Sequence, residues 1–315
     1  MKALGASLAV AAAGLLVLAS ASPAAAAGRE LDPGDSMYVL SCDPIVPSFQ
    51  LYSVNASTAL STAIGVGEGA DNQKCAGQPA YNPATGASYY LRWVGSTTEL
   101  GRIDVVTGVS TVVGELFTVV GGNRVTIDVL SIAIGADGSA YAIQGSNLFT
   151  LNLTTAELTP VVGIMSDDEI YAFAFNAVTG KFYALTGDFA LYEVNVTAAT
   201  LTPLGPLIFA SGADADGTYS LQFDEAGMAW IEVDNDVGRG GGLWSFQLSD
   251  LTSTVYSGNF ANAPFYAQAV LVIPGKPTLA ASGLDPAFAP LWAGGAAIVA
   301  LLGIAVMVAR RPRSA

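Results

Sequence analysis

From about Asp35 to Pro274 the apolar positions come in short runs rich in β-branched and aromatic residues, divided by Gly, Asn, Asp and Thr. No stretch there carries the 3.6-residue spacing of an amphipathic helix, and alternation between polar punctuation predicts many short strands. The runs repeat. A leucine, two residues, an apolar residue and then an amide or acid recur as LYSVN (Leu51 to Asn55), LGRID (Leu100 to Asp104), LFTLN (Leu148 to Asn152), LYEVN (Leu191 to Asn195) and LWSFQ (Leu243 to Gln247). Their starts are 49, 48, 43 and 52 residues apart, the period of a four-stranded propeller blade. In four copies a turn glycine followed three residues later by an aromatic precedes the leucine: Gly86 and Tyr89, Gly138 and Tyr141, Gly180 and Tyr183, Gly227 and Trp230.

Each position has a physical reading. The glycine supplies the positive φ of a tight turn, the strand after it sends side chains to alternate faces, and Asn195 and its counterparts bond their own backbone as the chain reverses. Each unit thus reads as four antiparallel strands. One such sheet has two apolar faces and is not stable alone, whereas five packed face to face around an axis bury a shared core. The expected fold is all-β, a five-bladed β-propeller over residues 28–274. The first copy lacks its leading strand, and Phe265 to Ile273 is left over after the fifth, so pairing Met37–Cys42 with that late strand is expected to close the ring. The blade pattern resembles the bacterial surface propellers of the YVTN and quinoprotein-like type over roughly residues 35–274.

The ends are expected to address the chain. Lys2, an apolar run from about Leu4 to Leu18, and small residues at Ala25 and Ala27 read as an export signal over residues 1–27. Residues 291–309 form an uncharged apolar run of 19 residues, near the roughly 20 that cross a bilayer as a helix. The basic tail over residues 310–315 has Arg310, Arg311 and Arg313, which favours a cytoplasmic end. The linker over residues 275–290 contains Leu279, Ala280, Ala281, Ser282 and Gly283. That pentapeptide, span and basic tail resemble the cell-wall sorting signal that sortase enzymes read in Gram-positive bacteria, in the LAxTG form of high-GC actinobacteria. The resemblance implies cleavage between Ser282 and Gly283 and transfer of the Ser282 carboxyl to an amine of peptidoglycan. Ser282 stands where that family has threonine. An exported protein of the cell wall, or of the outer face of the plasma membrane, follows, with the propeller held close by the short PGKPT linker.

Charge then narrows the partners. The chain has 12 basic and 26 acidic side chains. Removing the signal and everything after the linker pentapeptide leaves 8 basic and 25 acidic ones. Such a surface repels nucleic acid and anionic lipid. Cys42 and Cys75 are the two cysteines; in an oxidising compartment one bridge between them is expected, worth roughly 3–4 kcal/mol for a loop of that size.

The candidate chemistry is sparse. With no histidine in the chain, the commonest general base is missing, and no nucleophile elbow, P-loop or zinc spacing occurs. Loops after second and fourth strands carry Glu68, Asp71, Asp128, Asp167, Asp168, Glu169, Asp188, Asp214, Asp216, Asp234 and Asp236. This face is expected to be an acidic surface, with GADADG and VDNDVG, through Asp214, Asp216, Asp234 and Asp236, as its weak candidates for Ca²⁺. The alternative is a surface glycoside hydrolase, which needs only carboxylates, here Asp128, Asp168 and Asp216 brought toward the axis. The four repeated aromatics are expected to pack between blades rather than stack on sugars. The leading expectation is a non-catalytic binding or structural module with an unknown surface ligand.

Overall fold

A computed structural model of the chain describes residues 36–41, 49–56, 58–67, 74–164, 169–209, 215–235, 242–259 and 267–275. All regular structure among them is β. The second blade runs β4 (Lys74–Asn82), β5 (Ala87–Val94), β6 (Thr97–Ile103) and β7 (Ser110–Glu115). After a hairpin, β8 (Phe117–Val120) and β9 (Asn123–Thr126), the third runs β10 (Ser131–Ile134), β11 (Ala140–Gln144), β12 (Asn147–Leu151) and β13 (Leu158–Ile164). The fourth is β14 (Ile170–Asn176), β15 (Lys181–Thr186), β16 (Ala190–Asn195) and β17 (Thr200–Pro206). The fifth is β18 (Ala215–Phe223), β19 (Ala229–Asn235), β20 (Gly242–Gln247) and β21 (Asp250–Asn259).

The first blade is assembled from both ends of the described chain, in the order β22 (Ala267–Ile273), β1 (Ser36–Ser41), β2 (Gln50–Val54) and β3 (Ser61–Ile64). Ser36 lies opposite Ile273, Val39 opposite Val270 and Leu40 opposite Ala269. Five inner strands, β22, β4, β10, β14 and β18, neighbour one another around the axis.

The hydrophobic core is divided among the interfaces. One buried cluster joins each successive pair of blades: Leu40, Leu51 and Tyr90 between first and second, Leu91 and Ile132 between second and third, Ile143 and Phe173 between third and fourth, Leu185 and Leu221 between fourth and fifth, and Trp230 and Val39 between fifth and first. A blade removed from the ring therefore exposes two apolar faces, so stability belongs to the circle rather than to any sheet.

The repeated residues occupy repeated places. Leu51, Leu100, Leu148, Leu191 and Leu243 are all buried on the third strand of their blades. The turn that follows is set by a side-chain oxygen: Asn152 accepts the backbone N–H of Thr154 at 2.9 Å, and Asn195 accepts that of Ala198 at 3.0 Å. Gly180 and Gly227 take φ of 68° and 80° in the turns between first and second strands. Tyr183 and Trp230 are buried between blades, and the Tyr141 ring meets Phe182 edge-on at 5.2 Å.

Candidate functional site

The first-to-second-strand turns gather on one end of the ring, here the turn face, and between them lies an axial pocket of about 410 Å³. All five inner strands line it, through Ala80 and Tyr81, Ile132 to Ile134, Phe173 to Phe175, Gln222 and Phe223, and Val272. Its mouth is formed by the exposed turn residues Pro83, Ala177, Val178 and Glu225, with Pro274 and Gly275 where the described chain leaves β22.

The space has a simple cause. Ala80, Ala133 and Ala174 stand two residues before Asn82, Gly135 and Asn176, the equivalent positions at which the inner strand gives way to the turn. Three blades thus place a methyl group, rather than a larger side chain, at the pocket wall. The segments PAYN, IAIG, FAFN, LQFD and LVIP mark these positions once per blade, at spacings of 53, 41, 48 and 50 residues between Ala80, Ala133, Ala174, Gln222 and Val272. This period is present in the sequence beside those of the turn glycines and the leucines, but a small residue ahead of a turn carries no signal of its own until the strands are placed around the axis.

The inner-strand ends are fixed by buried polar caps. Asn82 accepts the N–H of Ala84 at 3.0 Å, Asn176 that of Val178 at 2.9 Å, and the Asp224 carboxylate those of Met228 at 2.8 Å and the Trp230 indole at 3.1 Å. They hold the turns that form the mouth.

Deeper on the axis the ring is filled by polar side chains bonded to each other. Gln78 is fully buried. Its carboxamide donates to the Phe173 carbonyl and, at 3.1 Å, to that of Leu221. Its oxygen accepts the Ser131 hydroxyl at 2.7 Å and the Phe173 N–H at 3.0 Å. Gln222 donates to the Pro79 carbonyl at 2.8 Å, and Val270 N–H donates to the Ser220 hydroxyl oxygen at 3.0 Å. Neighbouring and non-neighbouring blades are thereby stitched together, and the buried Gln78 carboxamide has both its donors and its acceptor engaged.

The loop face is where the acidic residues were expected, and the pocket is on the opposite face. Asp128, in the connection after β9, accepts the hydroxyl of buried Thr98, and Glu169 accepts the Tyr171 hydroxyl at 2.9 Å. Asp188 accepts the Thr186 hydroxyl within its own turn. None of these three lines the pocket. Asp216 and Asp234, expected in loops, are strand residues instead, in β18 and β19. Gly217 pairs with Asp234 there, after a bulge beside Asp216, because antiparallel pairing extends the hairpin to Asn235. Among the described residues no three side chains of metal-ligating type gather.

Asp214, Asp236, Glu68, Asp71, Asp167 and Asp168 lie outside the described residues. So do Cys42, the pentapeptide from Leu279 to Gly283, and the expected leader and span. Cys75 is on β4, paired with Trp93.

The hairpin of β8 and β9 lies outside the blade repeat that the sequence pattern predicts. Its signal is the Gly121–Gly122 pair between alternating runs, a two-residue hairpin turn. Arg124 lies 3.9 Å from the Phe117 ring centroid and donates to the Glu115 carbonyl at 3.0 Å.

No family model matches this chain, and no curated protein does. Among solved structures, that of TolB from Acinetobacter baumannii aligns over 72% of this chain and 53% of its own, with 12% identity and a TM-score of 0.42. The chain thus spans about half the length of that structure. A nidogen/laminin complex aligns over 78% of this chain and 83% of its own, with 9% identity and a TM-score of 0.45. A structural-genomics protein of unknown function from Bacteroides thetaiotaomicron aligns over 75% and 70%, at 13% identity and a TM-score of 0.44.

Proposed function

We propose that this chain is an exported protein held at the outer surface of a cell, where its propeller is a non-catalytic binding module and the axial pocket is its binding site. The observation that carries this reading is the pocket itself: an open concavity of about 410 Å³, with walls from every inner strand and a size within the range of small-molecule sites, roughly 300–1,000 Å³. Asp128 engages Thr98 on the loop face, which supports binding over carboxylate chemistry at the axis.

The pairing of β1 with β22 fits a role as the clasp of the ring. Ser36 and Ile273 are partners at its turn-face end, and a tether through the Leu279–Gly283 pentapeptide would leave from that face. In this reading sortase and peptidoglycan, or the membrane alone, hold the chain, and a Cys42–Cys75 bridge pins the second blade.

The test is a screen of the full chain against glycans, peptides, apolar small molecules and aryl glycosides. Saturable binding without turnover, weakened when Ala133→Leu fills the pocket, is the expected result. Turnover of a glycoside that Asp128→Asn abolishes would overturn the reading. Mass spectrometry of the wall fraction, seeking a peptide ending at Ser282 joined to peptidoglycan, tests the tether.

A further inference from the structure

We propose that the axial pocket takes a neutral, apolar small molecule of about 16 carbons, such as an alkyl or isoprenoid chain; this rests on reading the pocket as the binding site. Four observations converge on that class. The walls are hydrocarbon: Ile134, Phe175 and Phe223 stand around the space left by Ala80, Ala133 and Ala174.

Many of the polar groups beside the pocket are already engaged. Gln78 and Ser131 bond each other and the backbone across the axis, and the Gln222 amide is committed to the Pro79 carbonyl. A ligand bearing many hydroxyl groups would find few partners along these walls, with Tyr81 and Gln222 the polar side chains there, which is unfavourable.

Charge excludes anions. Among the described residues no lysine or arginine lines the pocket, and Glu225 stands at its mouth. The chain carries a formal net charge of −14, so carboxylate, sulfate or phosphate groups are repelled from the entrance.

Size sets the length. A dry cavity of roughly 150 Å³ holds one benzene, and scaling six carbons to the 410 Å³ of this pocket gives about 16.

The experiment uses the full chain and a hexadecanol analogue carrying a diazirine, with adducts mapped by mass spectrometry. Labelling is expected at the pocket walls, near Phe175, Phe223 and Val272, and unlabelled hexadecanol should compete. Hexadecyl sulfate is expected to compete at least about tenfold less well, a difference of roughly 1.4 kcal/mol. Ala133→Leu should reduce wall labelling by a similar factor. Ala177→Trp, at the exposed mouth and outside the core, should do the same in a chain whose melting temperature is unchanged. Equal competition by the sulfate, or undiminished labelling in both variants, overturns the inference. An oligosaccharide or peptide that protects the walls while hexadecanol does not would overturn it too and leave the pocket as a binding site. A pocket that nothing labels or protects would remove both readings.

Discussion

Gln78 accepts the backbone N–H of Phe173 at 3.0 Å although the two stand 95 residues apart in the chain. The bond crosses the axis from the second blade to the fourth, and the same side chain reaches Leu221 in the fifth, 143 residues away. Gln78→Ala would leave the Phe173 N–H and the Ser131 hydroxyl without their acceptor in a dry interior. The expected loss is about 3 kcal/mol, or roughly 6–12 °C in Tm for a domain of this size. Urea denaturation measures it, and a loss under about 1 kcal/mol would show that the axial network adds little beyond packing.

Equivalent turn positions should respond unequally to the exchange of glycine and alanine. Four residues after the turn-setting Asp104 stands Gly108, and four after Asn152 stands Ala156, with φ of 74° and 59°. A Cβ at Gly108 would lie 2.3 Å from the Ile64 carbonyl oxygen of the neighbouring blade, so Gly108→Ala must move backbone and should cost at least about 2 kcal/mol. Ala156→Gly loses a buried methyl group worth about 0.8 kcal/mol but relieves a left-handed strain of roughly 1–2 kcal/mol. Its melting curve should stay close to that of the parent.

Acid should loosen the Asp104 turn. Its carboxyl is held below the ordinary aspartate range, first by the backbone N–H of Val106 and then by that of Thr107, at 2.9 and 3.2 Å. A carboxyl with a lowered folded-state pKa contributes stability that is present above its unfolded value, about 3.9, and is lost as pH falls through the folded one. Amide exchange at Val106 and Thr107, corrected for intrinsic rates, should lose protection below about pH 4. In Asp104→Asn that pH dependence should vanish, and a variant retaining it would point to another group.

The β8–β9 hairpin should be separable from the ring. The guanidinium of Arg124 covers the Phe117 ring and bonds the Glu115 carbonyl, while Val119, Val120 and Val125 are exposed. Arg124→Ala should raise amide exchange across residues 117–126 and change global stability by less than about 1 kcal/mol. A larger fall in Tm would mean that the hairpin supports the interface between second and third blades.

The blade period, the five leucines and the four turn glycines were legible because each is a local matter. Leu191 needs only to face inward along its own strand, and Gly180 needs only its φ of 68°. Even the alanines of the pocket were written in the sequence as PAYN, IAIG and FAFN, though their meaning was not. A small residue beside a turn says nothing until the neighbouring strands are in place around it.

Sequence by itself determined the β class, the number of blades and the turns marked by the repeated glycines and by Asn or Asp, since residues within a few positions of one another set those outcomes. Only the tertiary structure decided that the concavity opens on the turn face, that Gln78 fills the axis below it, and that Asp216 and Asp234 sit in paired strands. Those facts depend on how blades some 50 to 150 residues apart are rotated about one axis. Packing of whole sheets, which no local pattern encodes, fixes that rotation.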